Sequence, residues 1–134
     1  MNSQMQPPKP RQAELLYPDL AYRIIEAAFE VHNQLGPGFT EDIYERAMLH
    51  ELRIRNIPFE EQKVIQVVYK GVNLGTYRLD MVVDGVIILE LKAVATLAPI
   101  YKQQILSYLK ATNLHLGILL NFGSVRVESA RVVN

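Results

Sequence analysis

Apolar residues in this chain recur first at helical spacing and then at strand spacing. Leu20, Ile24, Ala27, Ala28, Val31 and Leu35 share one side of a 3.6-residue period. They predict an amphipathic helix that starts at Pro18-Asp19 and stops at Gly36-Pro37-Gly38. Ile43, Ala47, Met48, Leu52 and Ile54 predict a second helix, with Thr40 as its N-cap and Asn56-Ile57-Pro58 as its end. Glu41 and Asp42 fall in its first turn, where the helix dipole favours acids. From Gln62 the period shortens. Residues 62–69, 74–83 and 86–93 predict an antiparallel meander that turns at Gly71 and at Asp84-Gly85. Pro99 opens a third helix running to about Ala111. Residues 116–121 predict a fourth strand, Phe122-Gly123-Ser124 a turn, and 125–133 a fifth strand. This order predicts an α/β sandwich, a mixed sheet with helices packed on it. Residues 1–15, polar and carrying Pro7, Pro8 and Pro10, are expected to form a mobile arm ahead of one domain over 16–134.

Three charges interrupt the apolar run of the meander: Asp80, Glu90 and Lys92. Glu90 and Lys92 are two apart and point to one face of their strand, while Leu89 and Leu91 point to the other. Residues 86–89 are all apolar, the mark of a strand covered on both sides. A carboxylate and an ammonium in such a strand are costly unless they are paired, hydrogen-bonded or bound to a metal. Carboxylates on adjacent strands suit a hard divalent cation, which takes oxygen ligands and keeps several waters. Such an ion polarises a phosphoryl oxygen and lowers the pKa of a bound water, and a lysine beside it offsets transition-state charge. The competing reading is a structural ion pair of Lys92 with Asp80 or Glu90.

Composition narrows the field. The chain has 134 residues, enough for a core without disulfides, and no cysteines, which excludes thiolate zinc sites. Lys and Arg number 14, as do Asp and Glu, unlike a protein that coats nucleic acid through bulk charge. No apolar run approaches the roughly 20 residues that span a bilayer, and residues 1–11 lack the apolar core of a secretory signal. The expectation is a cytoplasmic protein without a membrane contact. His32, His50 and His115 share no ligand-like spacing and read as structural or surface residues. Tyr101 and Tyr108 share a helix face and read as packing, and Lys102, Lys110, Arg78, Arg126 and Arg131 as scattered surface charge. The fifth strand, if it is an edge, invites a homodimer.

Four motifs in register carry a family resemblance. Asp80 followed ten residues on by Glu90-Leu91-Lys92 resembles the Asp…Glu-x-Lys signature of the PD-(D/E)xK nuclease superfamily, whose fold is restriction-endonuclease-like. Gln104-Ile105-Leu106-Ser107-Tyr108 resembles the Gln-x-x-x-Tyr helix motif of its RecB-type branch. Gly38-Phe39-Thr40-Glu41-Asp42-Ile43-Tyr44 is similar to the Gly-x-x-Glu-x-x-Tyr motif of a small bacterial family, the GxxExxY proteins. The resemblance implies Glu41, Asp80 and Glu90 as ligands of magnesium or manganese, with the backbone carbonyl of Leu91 as a further ligand. It implies that Lys92 positions or activates the attacking water. Gln104 would brace the site or touch the DNA backbone, and Tyr108 and Tyr44 would support it from the two helices. The implied function is metal-dependent hydrolysis of phosphodiester bonds in DNA. The alternative is a non-catalytic nucleic-acid- or protein-binding module that keeps the fold. No added domain to grip or unwind DNA is visible in the sequence.

One spacing argument bears on the site directly. A tight two-residue turn at Asp84-Gly85 would pair Val83 with Val86 and put Asp80 opposite Leu89, on the wrong side from Glu90. A three-residue loop over 83–85, with Gly85 at positive φ, would pair Val82 with Val86 and Asp80 with Ile88. Asp80 and Glu90 would then share a side. The constellation therefore requires a connection of even parity.

Overall fold

A computed structural model describes residues 16–134; the expected arm over 1–15 lies outside the described residues. The elements are α1 (Pro18–Leu35), α2 (Glu41–Ile54), β1 (Phe59–Tyr69), β2 (Val72–Val83), β3 (Ile87–Lys92), α3 (Pro99–Thr112), β4 (Leu116–Asn121) and β5 (Glu128–Val133). The five strands form one sheet in chain order. All neighbours are antiparallel except β3 and β4, which run parallel with α3 as their crossover. The order of elements matches the expectation. β1 begins at Phe59, earlier than its alternation suggested, and β5 begins only at Glu128. Val125, expected inside the fifth strand, is 85% exposed in the turn before it.

The sheet separates two cores. On one face Met81, Val83, Ile87, Leu89, Leu91, Ile118 and Leu120 pack with α1 (Ala21, Ile24, Ala28) and α2 (Met48, Leu52). On the other, Leu79, Val82, Ile88 and Leu119 pack with Ile105 and Leu109 of α3. Ile87, Ile88, Leu89 and Leu91 of β3 are all buried, so β3 is covered on both faces, as its unbroken apolar run requires. Full burial of such a side chain contributes about 1.5–3 kcal/mol, which anchors β3 firmly beneath the charges at its end.

Pro18 opens α1, and Gly36, at φ 71, closes it. α2 starts after Thr40, but the Thr40 side chain makes no capping hydrogen bond. The expected side-chain cap is therefore absent, and Thr40 contributes its carbonyl, which accepts from Ile43 N at 3.1 Å.

The β2–β3 connection has even parity but not the expected pairs. Val83 pairs with Ile87, Val82 with Ile88 and Met81 with Leu89. The loop is Asp84-Gly85-Val86, one residue later than expected. Both Asp84 (φ 51) and Gly85 (φ 71) are left-handed, and Val86 N donates to Val83 O at 3.0 Å. This is the tight turn that Asp-Gly favours, with one residue added after it. The reason lies in the core: Val86 packs against the α1–α2 side and does not enter the ladder.

Candidate active site at the fork of β2 and β3

The β2–β3 ladder ends at Met81↔Leu89, while β2 continues with β1 alone as a long ribbon. One step beyond the last pair, the register sets Asp80 across from Glu90. Here side chains take over from the ladder. Glu90 Oε1 accepts from Asp80 N at 3.4 Å, and Asp80 Oδ2 accepts from Leu91 N at 3.4 Å. Each carboxylate thus receives a backbone N–H that the opening fork has left without a strand partner.

Asp80 also lies at a bend in the ribbon. Leu79 and Val82 both reach the α3-side core, while Met81 and Val83 reach the other, so the alternation slips at Asp80. Its position opposite on β1 is Gln62, which adopts φ 52 and is skipped by the register; a second irregularity lies farther out, between Val67 and Val68. A strand residue at positive φ is strained, and the slip at this point is a bulge in the β1–β2 ribbon.

Crowded carboxylates set the electrostatics. Burial pushes the Glu90 carboxyl up to about 8, and the charge of Asp80 adds to this, against smaller opposition from the Asp80 N–H and from Lys92. Glu41, in the first turn of α2, is open to solvent, yet surrounding protein raises its pKa; Lys92 lowers it and Asp80 raises it again. The N-terminus of α2 therefore faces the fork. Glu45, one turn later, was not singled out in the sequence. Burial and then the charges of Asp80, Asp42, Glu41 and Glu61 push it up to about 7, and it accepts from Gln62 Nε2 at 3.2 Å. Its i,i+4 spacing from Glu41 was the available signal.

On the α3 side, Lys92 Nζ lies 4.7 Å from the centre of the Tyr101 ring, a cation–π contact. Tyr108 packs on Tyr77 of β2 with ring centres 5.6 Å apart. Burial raises its pKa, and the charge of Glu90 raises it further. Gln104 is exposed and makes no hydrogen bond among the described residues. Leu91 buries its side chain between sheet and helices and offers its N–H to Asp80.

Tyr44 stands apart from the charges. It is fully buried, stacked on Phe122 with centres 4.9 Å apart. Its hydroxyl accepts from Gly38 N (3.0 Å) and Phe39 N (3.2 Å) and donates to Gly36 O. The spacing Gly38…Glu41…Tyr44 thus has a local cause: the Tyr44 hydroxyl pins the loop that launches α2.

The strand exits are clamped together. Asn121, fully buried and in register with Lys92, accepts through Oδ1 from Val94 N (2.9 Å) and Gly123 N (3.1 Å). Its Nδ2 donates to Val94 O and Glu128 Oε1, each at 2.8 Å. Phe122 N donates to Lys92 O at 2.9 Å. A Cβ on Gly123 would run into the backbone of Ala93 and Val94, so only glycine fits there. The backbone leaving Lys92 is therefore fixed from β4.

Asp80, Glu90, Lys92, Glu41 and Tyr108 thus share one electrostatic neighbourhood, whereas Tyr44 and Gln104 do not touch it. Among the described residues, no three His, Cys, Asp or Glu side chains are gathered into a group able to hold a metal ion. The two carboxylates that meet are Asp80 and Glu90. His32 bonds to Ser124 O at 3.0 Å and stacks near Phe122, and His115 reaches Asn134 O, as structural residues do.

A mixed five-stranded sheet between helices, with an Asp and a Glu-x-Lys at its fork, defines the restriction-endonuclease-like fold class. The sequence matches the model of the PD-(D/E)XK nuclease superfamily over residues 18–132, and the chain belongs to that superfamily. The crystal structure of a protein designated SSO0001 has the same fold, with a TM-score of 0.55 and 19% identity. The match covers 94% of this chain and 61% of that longer one. No curated protein matches the sequence. No helix among the described residues is long and apolar enough to cross a membrane.

Proposed function

We propose that this protein is a nuclease that hydrolyses phosphodiester bonds in DNA with magnesium or manganese, in the cytoplasm. The observation that carries the reading is the meeting of Asp80 and Glu90 at the fork, with Lys92 one side chain further along the same strand. Two carboxylates held together in a half-buried fork, one of them raised to about 8, form a donor set whose repulsion a divalent cation would relieve. The donors are hard oxygens, which fits these ions. Asp80 and Glu90 would hold the ion, Glu41 would close the set from α2, and the Leu91 carbonyl would add a ligand. Bound there, the cation would polarise the phosphoryl group and acidify a water.

The remaining roles belong to the chain itself. Lys92, steered by the Tyr101 ring, would orient that water and offset charge on the phosphorane-like transition state. Tyr108 would shield Glu90 from the α3 side, and Gln104, exposed one turn before it, would meet the DNA backbone. The finer grouping with the GxxExxY proteins and the RecB-type branch belongs to the same proposal. It is supported by the Tyr44 pin behind Glu41 and by the position of Tyr108.

The rival reading is a binding module that keeps the fold without catalysis. It is favoured by the lack of a gathered three-carboxylate group among the described residues. Cleavage of labelled single-stranded, duplex and branched DNA with magnesium or manganese decides between them. Metal-dependent products absent from Asp80→Asn support the nuclease. No cleavage of any substrate by the wild type, with either metal, leaves the binding module.

A further inference from the structure

The formal charge of the chain is zero, but the fold sorts it to the two sides of the sheet. Residues 18–55, which form α1 and α2 on one face, hold seven acids against four arginines. The outer β1–β2 ribbon (62–79), together with the crossover and α3 (93–112), holds no acid at all. Those segments carry Lys63, Lys70, Arg78, Lys102 and Lys110. They also form one body: Ile65 and Leu79 of the ribbon share a core with Ile105 and Leu109, and Tyr77 lies on Tyr108.

The fork lies on the boundary between these halves. Glu41 and Glu45 crowd it from the α2 side, Glu45 through its hydrogen bond from Gln62. Lys92 lies against Tyr101 of α3, and the charge of Glu90 reaches Tyr108. A polyanion approaching over α2 meets the carboxylates of Glu41 and Glu45 at the fork. One approaching over α3 meets none. The exposed surface of α3 offers Lys102, Gln103, Gln104, Ser107 and Lys110, all able to donate to phosphate oxygens. Ser107 already bonds Gln103 O at 3.2 Å and is the least free of these donors. The ribbon adds Lys70, over the Tyr69 ring, whereas Arg78, between Tyr77 and Leu79, which both face α3, points to the ribbon's other side. Lys63 is partly spent on Glu60.

We propose that the exposed side of α3, continued by the β1–β2 ribbon, is the docking face for the DNA backbone, and that α1 and α2 form the face DNA avoids. This rests on the nuclease reading above for its occupant. Docking through phosphates is independent of base sequence and weakens steeply with salt.

The test is fluorescence anisotropy of a labelled oligonucleotide with the full chain in EDTA, titrated with potassium chloride. Lys102→Glu/Lys110→Glu should weaken binding at least tenfold at low salt. It should also reduce the salt slope by about 1.4–1.8, because two phosphates are no longer neutralised. Arg46→Glu/Arg53→Glu on α2 makes the same change in net charge and should weaken binding less than twofold. A second α3-side variant, Lys63→Glu/Lys70→Glu, serves if the first misfolds and should behave like it: Lys63 pairs with Leu79, which faces α3. Equal weakening in the α2 and α3 variants means attraction to net charge alone and overturns the proposal. So does equally tight, equally Lys102- and Lys110-dependent binding of poly-glutamate, which makes the partner an acidic protein. Cleavage assayed in parallel separates the two readings. Binding through α3 without cleavage sustains the docking face and removes the nuclease. Cleavage undisturbed by either α3-side variant does the reverse.

Discussion

Lys92 is the residue on which the nuclease reading turns. It lies one side chain beyond Glu90 along β3, with its ammonium against Tyr101 and its backbone held from β4. Nothing in this arrangement makes Lys92 a metal ligand. Lys92→Ala should therefore lower the cleavage rate by about 10²–10⁴ while leaving the magnesium-induced rise in melting temperature largely intact. Asp80→Asn should abolish most of that rise. Single-turnover cleavage and thermal melts with and without metal check both, and full activity in Lys92→Ala would sink the role. Tyr44 makes the contrasting case. Tyr44→Phe keeps the stack on Phe122 and removes the hydroxyl that Gly38 and Phe39 use. Part-buried N–H groups left without an acceptor cost about 1–3 kcal/mol. Chemical denaturation should show that loss. Weaker metal binding should accompany it if the pinned loop aims Glu41, and unchanged metal affinity would detach Tyr44 from the site.

At the scale of elements, most of the architecture was legible in the sequence. The helical spacing of Leu20 to Leu35, the unbroken apolar run of β3 and Pro99 ahead of α3 each have a cause local to a few residues. What was not legible depends on packing between elements. Asp-Gly favours a tight turn, and that turn is present, yet Val86 packs into the core and adds one residue to the loop. That one residue brings Asp80 opposite Glu90. The bend at Gln62 and Asp80, the role of Glu45 and the hydroxyl bonds of Tyr44 likewise depend on distant neighbours. So does the clamp at the exits of β3 and β4, read from sequence only as a turn. Gly123→Ala tests that clamp. Its methyl group has no room against Val94, so the two exits must part, at a cost of about 1–3 kcal/mol as for other overpacking changes. Denaturant melts should show it. Because Lys92 shares that exit, activity should fall further than the remaining folded fraction explains; a loss equal to the unfolded fraction would confine Gly123 to stability.

For the whole molecule, crowding acids at a fork makes stability depend on pH in a direction opposite to that of an ordinary salt-bridged carboxylate. Glu90 ionises near 4.5 as a free side chain and near 8 in the fold. Between those values the folded state holds more protons than the unfolded one, so stability must fall as pH rises. The favourable contribution is fully present below about 4.5 and is lost as pH climbs through about 8. Glu45, raised to about 7, acts in the same direction over the lower part of that window. In EDTA, urea or thermal melts between pH 5 and 8.5 should therefore show a steady loss of stability, on the order of 1 kcal/mol or more. Glu90→Gln, which cannot ionise, should flatten most of the slope, and Glu45→Gln a smaller part. Divalent cations need the ionised carboxylates, so magnesium or manganese should stabilise the protein more as pH rises and offset the decline. A wild-type profile in EDTA that is flat or rises towards pH 8 would mean that Glu90 is not held in the buried fork beside the Asp80 charge. The fork would then lack the desolvated, crowded carboxylates on which its reading as a cation site depends.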